Sequence, residues 1–152
     1  MRYIDLATMS MTPGSGIAET KIPLWWADGT TVSNTSSGNA LGDGAGLNSD
    51  SPATSNQSLF TLSSNWPLQM QFALETTVRS SSTSYTASAN LIDMSNSETA
   101  ISGSQVSTTS TTLTVIRSGK FNLTPGHTYG VAGSSNGGSV VFSDASLIIF
   151  PQ

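Results

Sequence analysis

Met70-Gln71-Phe72-Ala73-Leu74-Glu75-Thr76-Thr77-Val78 sets Met70, Phe72, Leu74, Thr76 and Val78 on one side of an extended chain and Gln71, Ala73, Glu75 and Thr77 on the other. Successive side chains of a strand point to opposite faces, so this alternation is the pattern of a sheet with one buried face. The run from Tyr85 to Asp93 repeats it, with Tyr85, Ala87, Ala89 and Leu91 on one face and small inward side chains that leave room for a bulky neighbour.

Working outward, short polar strands are expected around Ile101 and over 105–109, and a stronger one over Thr111 to Arg117. Ser118-Gly119 reads as a bulge before Phe121-Asn122-Leu123, and Thr124-Pro125-Gly126-His127 as a turn. Strands over 128–132, 139–143 and 147–150 follow, the first two joined through Ser134-Ser135-Asn136-Gly137-Gly138. Helix formers are sparse, and Ser, Thr, Gly and Asn interrupt every window that could hold a helix. The expected fold is all-β: a sandwich or jelly roll of antiparallel strands.

Three regions are expected. Residues 66–152 carry the sandwich. Residues 33–65 are poor in large apolar groups and read as a Gly/Ser/Asn-rich loop region. Residues 1–32 are apolar again, but Pro13 and Pro23 deny them a long central strand, so they read either as added strands or as an extended arm lying on a neighbouring subunit. Tyr3, Ile4, Leu6, Met9, Met11, Ile17, Ile22, Leu24, Trp25 and Trp26 are the candidate anchors for such an interface. Adjacent tryptophans in a strand point opposite ways, which predicts one in the core and one at an interface. Trp25, Trp26 and Trp66 are also the candidate platform for stacking on sugar rings, because an indole offers a flat apolar face and one donor.

Only 9% of the 152 residues are charged and the net charge is −4. Serine and threonine, about a third of the chain, take over the task of keeping the surface wet. The five cations, Arg2, Lys21, Arg79, Arg117 and Lys120, are scattered, which argues against partners that bind through phosphate, whether nucleic acid or an anionic membrane surface. The N-terminal stretch lacks the apolar core of a secretory signal, and no run is long enough to span a bilayer as a helix, so a soluble protein is expected.

Without cysteine, thiol chemistry and Cys-zinc sites are excluded. The single histidine, His127, lies in a turn with no Gly-x-Ser-x-Gly elbow to pair with, and reads as a hydrogen-bonding residue rather than a base. Glu75 is expected on the outer face of its strand, and Asp93, Glu98 and Asp144 in or near turns, where acids serve solubility and turn hydrogen bonds. Asp43, Asn48 and Asp50 lack the alternate-position spacing of a calcium loop. No catalytic residue, metal site or cofactor is read, and the chain is expected not to be an enzyme.

Ala87-Ser88-Ala89-Asn90-Leu91-Ile92-Asp93, Gly103-Ser104-Gln105-Val106-Ser107-Thr108-Thr109-Ser110, Arg117-Ser118-Gly119-Lys120-Phe121-Asn122-Leu123, Gly126-His127-Thr128-Tyr129 and Asp144-Ala145-Ser146-Leu147-Ile148 follow one another along the chain. This order resembles β-sandwich modules of tailed-phage virions. The resemblance implies a role outside metabolism: a capsid decoration protein on the outer surface of a virion, assembled in the host cytoplasm as a homo-oligomer, a trimer, on the major capsid protein or another virion protein. The alternative it implies is a head-fibre or tail-fibre module binding surface glycans or a receptor.

Overall fold

The computed structural model describes residues 19–26, 32–34, 59–66, 70–138 and 140–150. Two antiparallel sheets pack face to face as a β-sandwich, and the described residues contain no helix. The first sheet runs β1 (Thr20–Trp26), β10 (Val140–Phe150), β4 (Gln71–Ser80), β8 (Thr114–Arg117), with β2 (Val32–Asn34) also paired to β10. The second runs β3 (Phe60–Thr61), β9 (Thr128–Ser135), β5 (Ala87–Asp93), β6 (Thr99–Ala100), with β7 (Val106–Thr108) also on β5.

The alternating stretch from Met70 becomes β4, with β10 on one side and β8 on the other. Its Phe72, Leu74 and Val78 enter the core, and Thr76, wholly buried, satisfies its hydroxyl by donating to the Asp144 carbonyl at 2.6 Å. From the opposite sheet, Ala87, Ala89 and Leu91 of β5 and Tyr129 and Val131 of β9 meet them. The small β5 side chains leave the space that the aromatic rings fill, as their spacing predicts. Tyr85 does not continue that row. It is 38% exposed, beyond the start of β5, and its ring lies against Gly138.

The sandwich reaches back beyond residue 66. β1 is an edge strand, the position in which a proline without an N–H is tolerated, and it pairs with β10 on both sides of Pro23. The register shifts between Pro23 and Trp25, a β-bulge that turns two consecutive side chains, Leu24 and Trp25, into the core. β3 adds Phe60, and Leu62 just after it is buried as well. The expected strand over 111–117 shortens to β8 because hydroxyls compete for the backbone: Ser110 Oγ donates to the Thr112 carbonyl and accepts from the Thr112 N–H.

In the second sheet the outer neighbour of β5 is split. β7 pairs with Ala87–Ala89 and β6 with Ile92–Asp93, leaving Asn90 and Leu91 between them. The 101–105 turn spans this gap, and Ser104, fully buried, plugs it. The Ser104 hydroxyl accepts from the Leu91 N–H at 3.0 Å and donates to the Ile101 carbonyl at 2.7 Å, while the Ile101 N–H donates to the Leu91 carbonyl. Gly103 allows the turn by taking φ +84°, a conformation that side chains disfavour. At the other end of β9, the Tyr129 hydroxyl accepts from the Thr124 N–H and donates to the Thr124 carbonyl, pinning the turn ahead of the strand. Burial holds the Tyr129 pKa above its ordinary value.

Candidate functional site

The anchors expected in the first segment divide. Ile22, Leu24 and Trp25 are 5%, 0% and 1% exposed within the domain's own core, so they are neither anchors for another subunit nor, for Trp25, a stacking platform. Ile22 and Leu24 enter the core by alternation, and the bulge in β1 overrides it to turn Trp25 in as well. Trp66 is half-buried and packs against that core. Tyr3, Ile4, Leu6, Met9, Met11 and Ile17 lie outside the described residues, as does the side chain of Trp26.

Charge gathers on the outer face of the first sheet. Glu75, on β4, lies on that face as its spacing predicts, yet is only 8% exposed because two cations close over it. Lys21 reaches from β1 across β10 to Glu75 Oε1 at 2.7 Å, and Arg117 on β8 holds Oε2 through Nε and Nη2 at 2.9 and 2.7 Å. Arg117 Nη1 also grips both oxygens of Glu19, at 2.9 and 2.8 Å. The strand between Lys21 and Glu75 presents Ser146 beside Glu75, a side chain small enough to be crossed. The Lys21 hydrogen bond, helped by Arg117 and opposed by desolvation, holds the Glu75 carboxyl below its usual pKa. Four of the chain's charges thus tie both edge strands of the sheet to its centre.

Asp93 makes the turn hydrogen bond that its position suggests, but it is buried rather than solvated. It is 4% exposed; Oδ2 lies 2.7 Å from His127 Nδ1 and Oδ1 accepts from the Ser95 N–H at 3.0 Å. A histidine oriented by a carboxylate is half of a catalytic arrangement. The hydroxyls nearby are engaged elsewhere, however: Ser95 Oγ accepts from the Thr128 N–H, and the Thr61 and Thr128 hydroxyls bond each other at 2.9 Å. The pair joins the turn after β5 to the turn before β9, as the Met94 N–H does by donating to the Thr128 carbonyl. His127 is the hydrogen-bonding residue that its turn position predicts.

Two features escaped the sequence reading. Leu113 and Val115 are 43% and 61% exposed at the edge of the first sheet, where β8 pairs with β4 alone among the described strands. The signal is present in the sequence: Leu113, Val115 and Arg117 alternate, and an arginine in such a row marks the outer face. The second is an open depression of about 370 Å³ lined by Asn90, Ala100, Ile101, Ser102, Gly103 and Gln105, at the gap between β6 and β7. It depends on how a ladder is interrupted, which no local pattern announces. No family model and no curated protein matches the chain.

Proposed function

We propose that this chain is a non-enzymatic structural protein of a virion, a decoration protein that binds the outer shell of a capsid as a homo-oligomer. The observation that carries the reading is the β8 edge. It exposes Val115 and Leu113 beside a strand edge that no other described strand pairs with, on a chain about a third of whose residues are serine and threonine. Natural sheets guard such edges with charge, proline or cover, and an apolar edge left open is a place for a strand from another chain. A cyclic oligomer uses the same patch in every copy, and many copies on a shell turn a modest contact into firm attachment. The resemblance of the segments between Ala87 and Ile148 to phage virion modules supports the same reading.

The test is a double variant, Leu113→Ser with Val115→Lys, compared with the parent protein by light scattering and by co-sedimentation with capsids of the parent phage. The parent protein is expected to form a closed trimer and to sediment with the shells, and the variant to remain a folded monomer that stays in solution. A parent protein that is monomeric and never sediments with shells overturns the reading.

A further inference from the structure

We propose that the depression beside Asn90 is a binding site for a neutral saccharide, taking one pyranose residue of a glycan. It lies on the second sheet, apart from the β8 edge of the first, and does not rest on the capsid reading.

The site is built before any ligand arrives. Its floor exists because the β5 ladder is shared between β6 and β7, and its wall, the 101–105 turn, is held by the buried Ser104 hydroxyl and by the Ile101 N–H on the Leu91 carbonyl. A wall fixed from beneath leaves little ordering to be done on binding. At about 370 Å³ the space falls at the small end of small-molecule sites, roughly 300–1,000 Å³.

The lining chooses the ligand class. Asn90, Ser102 and Gln105 bring two amides and a hydroxyl to one place, and none of the three side chains hydrogen-bonds another group among the described residues. Each amide offers two donors and an acceptor, the complement of neighbouring sugar hydroxyls, which both give and take hydrogen bonds. Ala100, Ile101 and Gly103 supply apolar surface for the C–H face of a ring. None of the six lining residues is charged, so the lining offers a phosphate, a carboxylate or a metal ion no opposite charge. The neutral character continues along the sheet, where Ser88, Ser107, Ala132 and Ser134 share Asn90's outer face. With no aromatic ring in the lining, one site binds weakly, and repeated copies supply the strength.

Isotope-labelled protein titrated separately with glucose, galactose, mannose, rhamnose and N-acetylglucosamine tests the proposal by amide NMR. The expected result is a saturable shift with at least one sugar, confined to the Asn90 and Gln105 side-chain amides and the backbone of 101–105. The dissociation constant should be on the order of 1 mM, as for a ligand of about a dozen heavy atoms at modest efficiency. Gln105 is exposed, so Gln105→Ala should keep the parent spectrum elsewhere and weaken binding about tenfold, the loss of one hydrogen bond. No saturable shift with any of the five sugars overturns the proposal. So does a shift that persists unchanged in the Asn90→Ala, Gln105→Ala double variant.

Discussion

The two outer faces of the sandwich are opposites. The first sheet presents Lys21, Glu75, Arg79 and Arg117, and three of these, with Glu19, form one bonded network over β10. The second carries Ser88, Asn90, Ser107 and Ser134, with Ala132 and Ile92 buried among them, and no charge on that face among its described strands. In a chain that is only 9% charged this separation has a mechanical sense. The first sheet has a long proline-bearing edge strand on one side and a four-residue one on the other, and ion pairs hold both to the centre. The second is closed by short strands and by hydroxyl-to-backbone bonds, which leave its outer side chains uncommitted. Charge serves cohesion on one face, and neutrality keeps the other available to a ligand.

The comparison breaks most readily at Ser104. Ser104→Ala leaves the Leu91 N–H, deep in the sheet, without an acceptor. An unsatisfied buried donor costs about 1–3 kcal/mol, so a loss of about 2 kcal/mol in denaturant melts is expected, with Ser104→Thr no better because the plug is fully enclosed. If Ser104→Ala unfolds at the parent midpoint, the second sheet does not depend on its hydroxyl.

Ser104 also shows where the sequence could and could not be read. β4 and β5 were legible because their core-facing residues recur at period two, whereas β9 runs on to Ser135, past the expected 128–132, and the strands expected over 139–143 and 147–150 are one, β10, with a register shift between Phe142 and Asp144. Glu75 fell on the outer face as expected, but its closure under Lys21 and Arg117 was hidden, since the three lie far apart in the chain and meet only through strand order. Trp25 escaped alternation through a bulge that local pattern does not encode. Asp93 keeps the turn hydrogen bond that its position suggests, but its burial against His127 was hidden because that partner is 34 residues away. Asp93, Ser104, Ser110, Arg117 and Tyr129 all make polar contacts that fix turns or strands. The depression at Asn90 lay beyond reach because its shape follows from a gap in a ladder.

On the charged face a smaller effect is expected. Glu75→Ala should cost about 1 kcal/mol, below the full value of a charged hydrogen bond, because Lys21 and Arg117 are 51% and 38% exposed and regain water. Added salt should narrow the difference. The pH dependence carries a definite sign. The folded Glu75 pKa is depressed, so its contribution is fully present above the unfolded carboxylate value of 4.5 and is lost as pH falls below that towards the folded value. Thermal melts from pH 7 downwards should show the parent losing its advantage over Glu75→Gln only below about pH 4.5. A gap that stays constant to pH 3 would show that the charge on Glu75 does not matter to the fold.

The smallest effect is expected on the neutral face, and its smallness is the point. Among the described residues the Asn90 and Gln105 side chains make no hydrogen bond, Gln105 is exposed and Asn90 half-buried, so Asn90→Ala and Gln105→Ala should each move stability by no more than about 0.5 kcal/mol. A residue kept for the fold would show its loss in a melt, whereas one kept for a ligand shows it only when the ligand is present. If either alanine costs as much as Ser104→Ala, the amides of the depression belong to the sheet's own cohesion, and the two faces differ in charge but not in task. If both are neutral, the side chains around Asn90 are free to bind a ligand, whereas Lys21, Glu75 and Arg117 on the first sheet are already bonded to each other.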